Sequence, residues 1–153
     1  MAKKQTRRRA STTGRRAGKG ADGPPPHAKP TPGPHDAARR EQLVELCRSL
    51  PEVTCKPFGE DHLTFVVGKK TFGYYLFHHH GDGIVAFCAK AAPGVQQRLV
   101  TGDPKRYRVP AYLGPSGWVS IRLDMPQVDW GDVLERVVEA YRLQAPRRLV
   151  AQM

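Results

Sequence analysis

The chain has 153 residues, with 25 Lys and Arg against 14 Asp and Glu and a formal net charge of +11. Its apolar runs fall far short of the ~18 residues that cross a bilayer as a helix, so the sequence excludes a membrane-spanning helix. Three cysteines, Cys47, Cys55 and Cys88, with no C-x-x-C spacing, exclude a fully paired disulfide framework and a zinc ribbon. With twin N-terminal arginines that precede no apolar stretch, they predict a cytoplasmic protein.

The charge is concentrated at one end. Residues 1–35 hold nine basic side chains against Asp22 alone, a net of +8, which leaves +3 for the rest of the chain. The same stretch has six of the 14 prolines and no Val, Ile, Leu, Phe, Trp or Tyr. Such a segment buries too little apolar area to offset a backbone ordering cost of ~1–2 kcal/mol per residue, so a disordered basic arm is predicted. Its second half, Pro24 to Pro34, reads as a stiff, extended linker.

A compact domain is predicted over residues 36–151. Asp36 is placed to cap a helix in which Leu43, Leu46, Cys47 and Leu50 recur at helical spacing, and Pro51 ends it. Four strands follow: Val53 to Phe58, Leu63 to Val67, Thr71 to Phe77, and Ile84 to Ala89. Gly68-Lys69-Lys70 and the longer His78-His79-His80-Gly81-Asp82-Gly83 read as hairpin connections. A short helix is expected over Pro93 to Val100, broken at Gly102-Asp103-Pro104, and Arg106 to Gly117 reads as an ordered loop. In a fifth strand Val119, Ile121 and Leu123 face the core, with Trp118, Ser120 and Arg122 outward. A last helix opens at Asp129, with Asp132 completing its cap. It carries Trp130, Val133, Leu134, Val137, Val138 and Tyr141 as its apolar stripe and stops at Pro146. Two amphipathic helices and about five antiparallel strands imply an α+β two-layer sandwich with helices on one face of the sheet. The other face is left for a partner.

The run Thr64-Phe65-Val66-Val67-Gly68-Lys69-Lys70-Thr71-Phe72, then Lys90-Ala91-Ala92-Pro93, then Val109-Pro110-Ala111-Tyr112-Leu113-Gly114-Pro115 with Gly117-Trp118-Val119, resembles the MmcQ/YjbR family. Asp129-Trp130 and Ala140-Tyr141-Arg142-Leu143 complete the likeness, which covers roughly residues 36–150. The resemblance implies a compact α+β domain, similar to secretion-chaperone and frataxin-like two-layer folds, and the label of DNA-binding protein. The histidine hairpin lies outside the pattern.

The first candidate nucleic-acid contacts are Lys3, Lys4, Arg7, Arg8, Arg9, Arg15 and Arg16 of the arm, because flexible cations gain affinity by releasing counterions from phosphates. A second set joins Lys105, Arg106 and Arg108 to Tyr112, Trp118 and Arg122, cations interleaved with aromatics that suit phosphates and stacked bases. Lys69 and Lys70 form a third, at the tip of a hairpin. The expected partner is DNA, bound largely without regard to sequence, in a nucleoid-associated cytoplasmic protein. The alternative is a protein-binding or chaperone-like module that uses the open sheet face. No catalytic motif, cofactor or metal is expected. The weaker enzymatic and metal readings rest on Cys55 with His62, and on His78 and His80 projecting to one side of an extended segment.

Overall fold

The computed structural model describes residues 30–153. Helix α1 spans Pro34–Arg48 and leads into three strands, β1 Val53–Phe58, β2 His62–Val67 and β3 Lys70–Phe77. A single 3₁₀ turn, His79–Gly81, connects to β4 Val85–Ala89, and α2 Val95–Gly102 follows. After the two-residue β5 Tyr107–Arg108 and the 3₁₀ turn Gly114–Ser116 come β6 Val119–Arg122, α3 Trp130–Gln144 and a last turn, α4 Arg147–Val150. The strands form one antiparallel sheet in the order β1-β2-β3-β4-β6-β5.

The first helix begins two residues before the expected cap. Gly33 holds an extended backbone and is the N-cap, Pro34 takes the first turn, where its missing N–H costs nothing, and the Asp36 carboxylate accepts the Gly33 N–H at 2.9 Å. Asp36 is thus the third residue of the helix. The C-terminal helix starts as expected: the Asp129 carboxylate accepts the Asp132 N–H at 3.2 Å. Its buried stripe is Val133, Val137, Ala140 and Tyr141, whereas Leu134 is exposed and Arg136 is buried instead. Helix α3 ends at Gln144, just before Pro146 as expected, and a separate turn, α4, follows and seats Leu149 in the core.

The sheet has six strands because the segment read as loop contributes β5, too short to show a period of its own. The core lies on the face that α1 and α3 cover, where Tyr107, Ile121, Phe87, Tyr75 and Leu63 line up across neighbouring strands. Register is interrupted once. Phe65 pairs with Gly73 and Val66 with Thr71, so Phe72 is an extra residue whose ring joins Phe65 and Tyr141 in the core. Tyr141 also ties α3 to the start of β1 by donating to the Pro51 carbonyl at 2.8 Å. No helix among the described residues is long and apolar enough to cross a membrane.

Candidate functional site

Opposite residues of an antiparallel pair share a face. The ladder therefore aligns Arg108, Ser120, Cys88 and Tyr74 on the sheet face away from α1 and α3. Alternation requires it, because Tyr107 beside Arg108 points into the core. Loop 109–116 then folds back over this row. Gln96 of α2 donates to the Gly114 and Trp118 carbonyls at 2.8 and 2.6 Å, and Lys90 Nζ donates to the Ser116 carbonyl at 3.1 Å. Val109 lies so close to Gly114 that a Cβ there would sit 2.5 Å from its Cγ1, which leaves room for glycine alone.

Trp118 and Ser120, expected to be wet, are each only 7 % exposed. The reason is this returning loop, together with Tyr74, whose ring stands 5.6 Å from the Trp118 indole. Between the loop and the histidine hairpin remains a cavity of about 540 Å³. Cys88 and Ser120 are in its floor, Tyr74, Leu76 and Ile84 in its walls, and His80, Arg108 and Tyr112 at its mouth. Burial pushes the Cys88 thiol up to about 12, against a smaller opposing hydrogen bond with Ser120, so it is a neutral thiol at pH 7 and not a nucleophile.

The hairpin is not extended. His78 and His80 both have left-handed backbones, φ +47° and +55°, so they do not project side by side as the metal reading required. The His78 ring packs on Phe77 at 4.5 Å. His62 Nδ1 accepts the Phe77 N–H at 3.1 Å, its Nε2 lies 3.5 Å from His79 Nδ1, and its ring rests on Phe58 at 4.9 Å. Burial lowers the His79 pKa, and the neighbouring His80 lowers it further. No group of three or more His, Cys, Asp or Glu suited to a metal ion occurs among the described residues. Cys55 pairs with Phe65 on the core side, whereas His62 pairs with Phe58 on the opposite face, so the two cannot act together.

Within the second nucleic-acid set, Arg108 and Tyr112 line the same cavity, whereas Arg106 and Arg122 are paired with carboxylates. Arg106 is held by Asp132 at 3.1 Å and Asp103 at 3.5 Å, and Tyr107 donates its hydroxyl to the same Asp132. Arg122 makes a bidentate pair with Asp124 at 2.9 and 3.0 Å. Trp118 is covered, so its face is closed to a base. Lys105, Arg108 and Tyr112 are exposed, Tyr112 by 84 %. Lys69 and Lys70 stand exposed at the β2–β3 turn. The arm cations Lys3, Lys4, Arg7, Arg8, Arg9, Arg15 and Arg16 lie outside the described residues. Sequence reasoning missed the cavity, because it depends on where a loop without periodicity comes to rest. The one local hint was the density of Gly and Pro between residues 106 and 117.

Among curated proteins none matches the sequence. The fold is similar to the crystal structure of Deinococcus radiodurans protein DR2400, which carries a DUF419 domain, with a TM-score of 0.57 and 21 % identity over 68 % of this chain and 76 % of that one. The family model YjbR matches residues 48–143, the span from the end of α1 through nearly all of α3. With that match taking in every strand, the chain belongs to the YjbR family.

Proposed function

We propose that the protein associates with DNA, largely without regard to sequence, and that cations of residues 1–29 supply most of the affinity. The observation that carries this is the charge partition: nine basic residues and one acid in that segment, against a net of +3 over the remainder. Pairing within the domain sharpens the contrast, since Arg106 and Arg122 are already matched by carboxylates. Lys69, Lys70 and Lys105 have no ion pair among the described residues, and they add auxiliary phosphate contacts. Each neutralised phosphate steepens the salt dependence by about 0.9, so five engaged cations give a logarithmic slope of about −4.5.

The test is fluorescence anisotropy of a generic duplex over a salt series. It compares the full chain with a full-length variant whose seven arm cations, Lys3 to Arg16, are replaced by Gln. The slope and the affinity should both fall sharply in the variant. Equal slopes in the two proteins, or no binding in dilute buffer, would overturn the proposal.

A further inference from the structure

The cavity on the second sheet face has a chemistry of its own, independent of the arm. Its volume of about 540 Å³ is that of a site for a drug-sized molecule, ~300–1,000 Å³, and most of its wall is apolar. Arg108 is the one Lys or Arg that lines it, and no carboxylate pairs with that guanidinium among the described residues. Asp82 is the acid in the lining; its Oδ1 accepts the Ile84 N–H at 2.9 Å, and its charge acts on His79 in the same lining and on Arg122. An apolar chamber with one unmatched, fork-shaped cation at its rim selects for an anion attached to an apolar body.

Backbone strain marks the same place. Of the four non-glycine residues with positive φ among the described residues, His80 and Tyr112 line this cavity. At Tyr112, φ is +63° and the Leu113 N–H reaches back to the Ala111 carbonyl at 2.7 Å, a tight three-residue turn of the rare positive-φ kind. Such strain costs ~1–3 kcal/mol, and it is found where a chain holds a group for a ligand. Here it holds a largely exposed aromatic ring beside the cavity, 5.8 Å from the His80 ring.

We infer that this cavity binds a small amphipathic organic acid: an apolar, ring-bearing body against Tyr74 and Leu76, its carboxylate or sulfonate on Arg108, with Tyr112 and His80 closing the mouth. The probes are anilinonaphthalene sulfonate and its uncharged counterpart N-phenylnaphthylamine, which share a body and differ in the anion. Each is titrated against the full chain, with energy transfer from the two tryptophans, Trp118 and Trp130, as the signal. One sulfonate should bind per chain, on the order of 10-fold tighter than the neutral probe. Arg108→Gln should abolish that preference, bringing the sulfonate's affinity down to that of the neutral probe, while Tyr112→Gly should weaken both probes. The full-length chain with Gln at the arm positions should bind the sulfonate as the parent does. Absence of saturable binding, several equivalents per chain, a preference that survives Arg108→Gln, or binding that vanishes with the arm charges would each overturn the inference. DNA affinity is read separately, so neither proposal stands in for the other.

Discussion

Replacing Gly73 by Ala tests how the sheet is packed beneath the cavity. Gly73 lies inside β3 opposite Phe65 and Ala89, and the Phe87 ring crosses the space where a side chain would be. A Cβ at residue 73 would stand 2.4 Å from Phe87 Cε2 and 2.7 Å from Cζ, with the Cys88 carbonyl at 3.4 Å. The ring is completely buried and meets Phe65 edge-on at 6.0 Å, so it has nowhere to swing. Overpacking of this kind costs about 1–3 kcal/mol, and the loss of glycine's unfolded-state freedom returns about 0.4–1 kcal/mol. The net expectation is a loss of roughly 1–2 kcal/mol. Urea unfolding followed by tryptophan fluorescence should show a lower midpoint with an unchanged slope. Phe87→Leu removes the obstacle, so the double variant should lose less than the two single losses combined, by about 1 kcal/mol. If Gly73→Ala is neutral, or if the two losses simply add, the ring does not occupy that space and the register of β3 against β4 is wrong.

The remaining predictions concern polar groups under the surface. Asp132→Ala should cost about 2 kcal/mol in chemical denaturation, because it strands the buried Tyr107 hydroxyl, whereas Arg106→Gln on the more exposed side should cost under ~1 kcal/mol. An Arg106 loss equal to the Asp132 loss would contradict that division. Burial raises the Cys88 thiol from 9.0 to about 12 and the Tyr75 phenol from 10.0 to about 12. Both groups hold their protons more tightly in the folded state, so their contribution is complete below pH 9 and is lost as pH rises from 9 toward 12. Stability measured across that window should fall, and Tyr75→Phe should flatten the part above pH 10. The same substitution should raise stability at neutral pH by about 1 kcal/mol, because the Tyr75 hydroxyl is buried without a hydrogen-bond partner among the described residues.

Periodic elements were open to reading from residues alone. The alternation in β2 and the i, i+3, i+4 spacing of Val133, Val137 and Tyr141 record which side is buried, since every turn of the element meets the same core. Asp129 could be recognised as a cap because the atoms it satisfies are three residues away. The same local logic failed at the first helix, where Gly33 and Asp36 divide a role that either can fill, and at β5, whose two residues carry no period.

The site was hidden for a related reason. Trp118, Ser120 and Arg122 do alternate outward from the core, as their order implies, but outward is not the same as wet. Whether an outward residue meets water depends on a loop 109–116 anchored by Gln96 and Lys90, contacts about twenty residues distant in sequence. Charge patterning located the cations and said nothing of which were already spoken for. Asp132 holds Arg106 across 26 positions, while Arg108, two residues on, lines the cavity with no carboxylate ion pair among the described residues. What the sequence by itself determined is the quantity that short-range chemistry sets: the charge-rich leader, the α+β periods and the family. Which cations stay free, and that the second sheet face encloses a chamber, was decided by tertiary packing, because burial and ion pairing depend on distances in space that spacing along the chain does not encode.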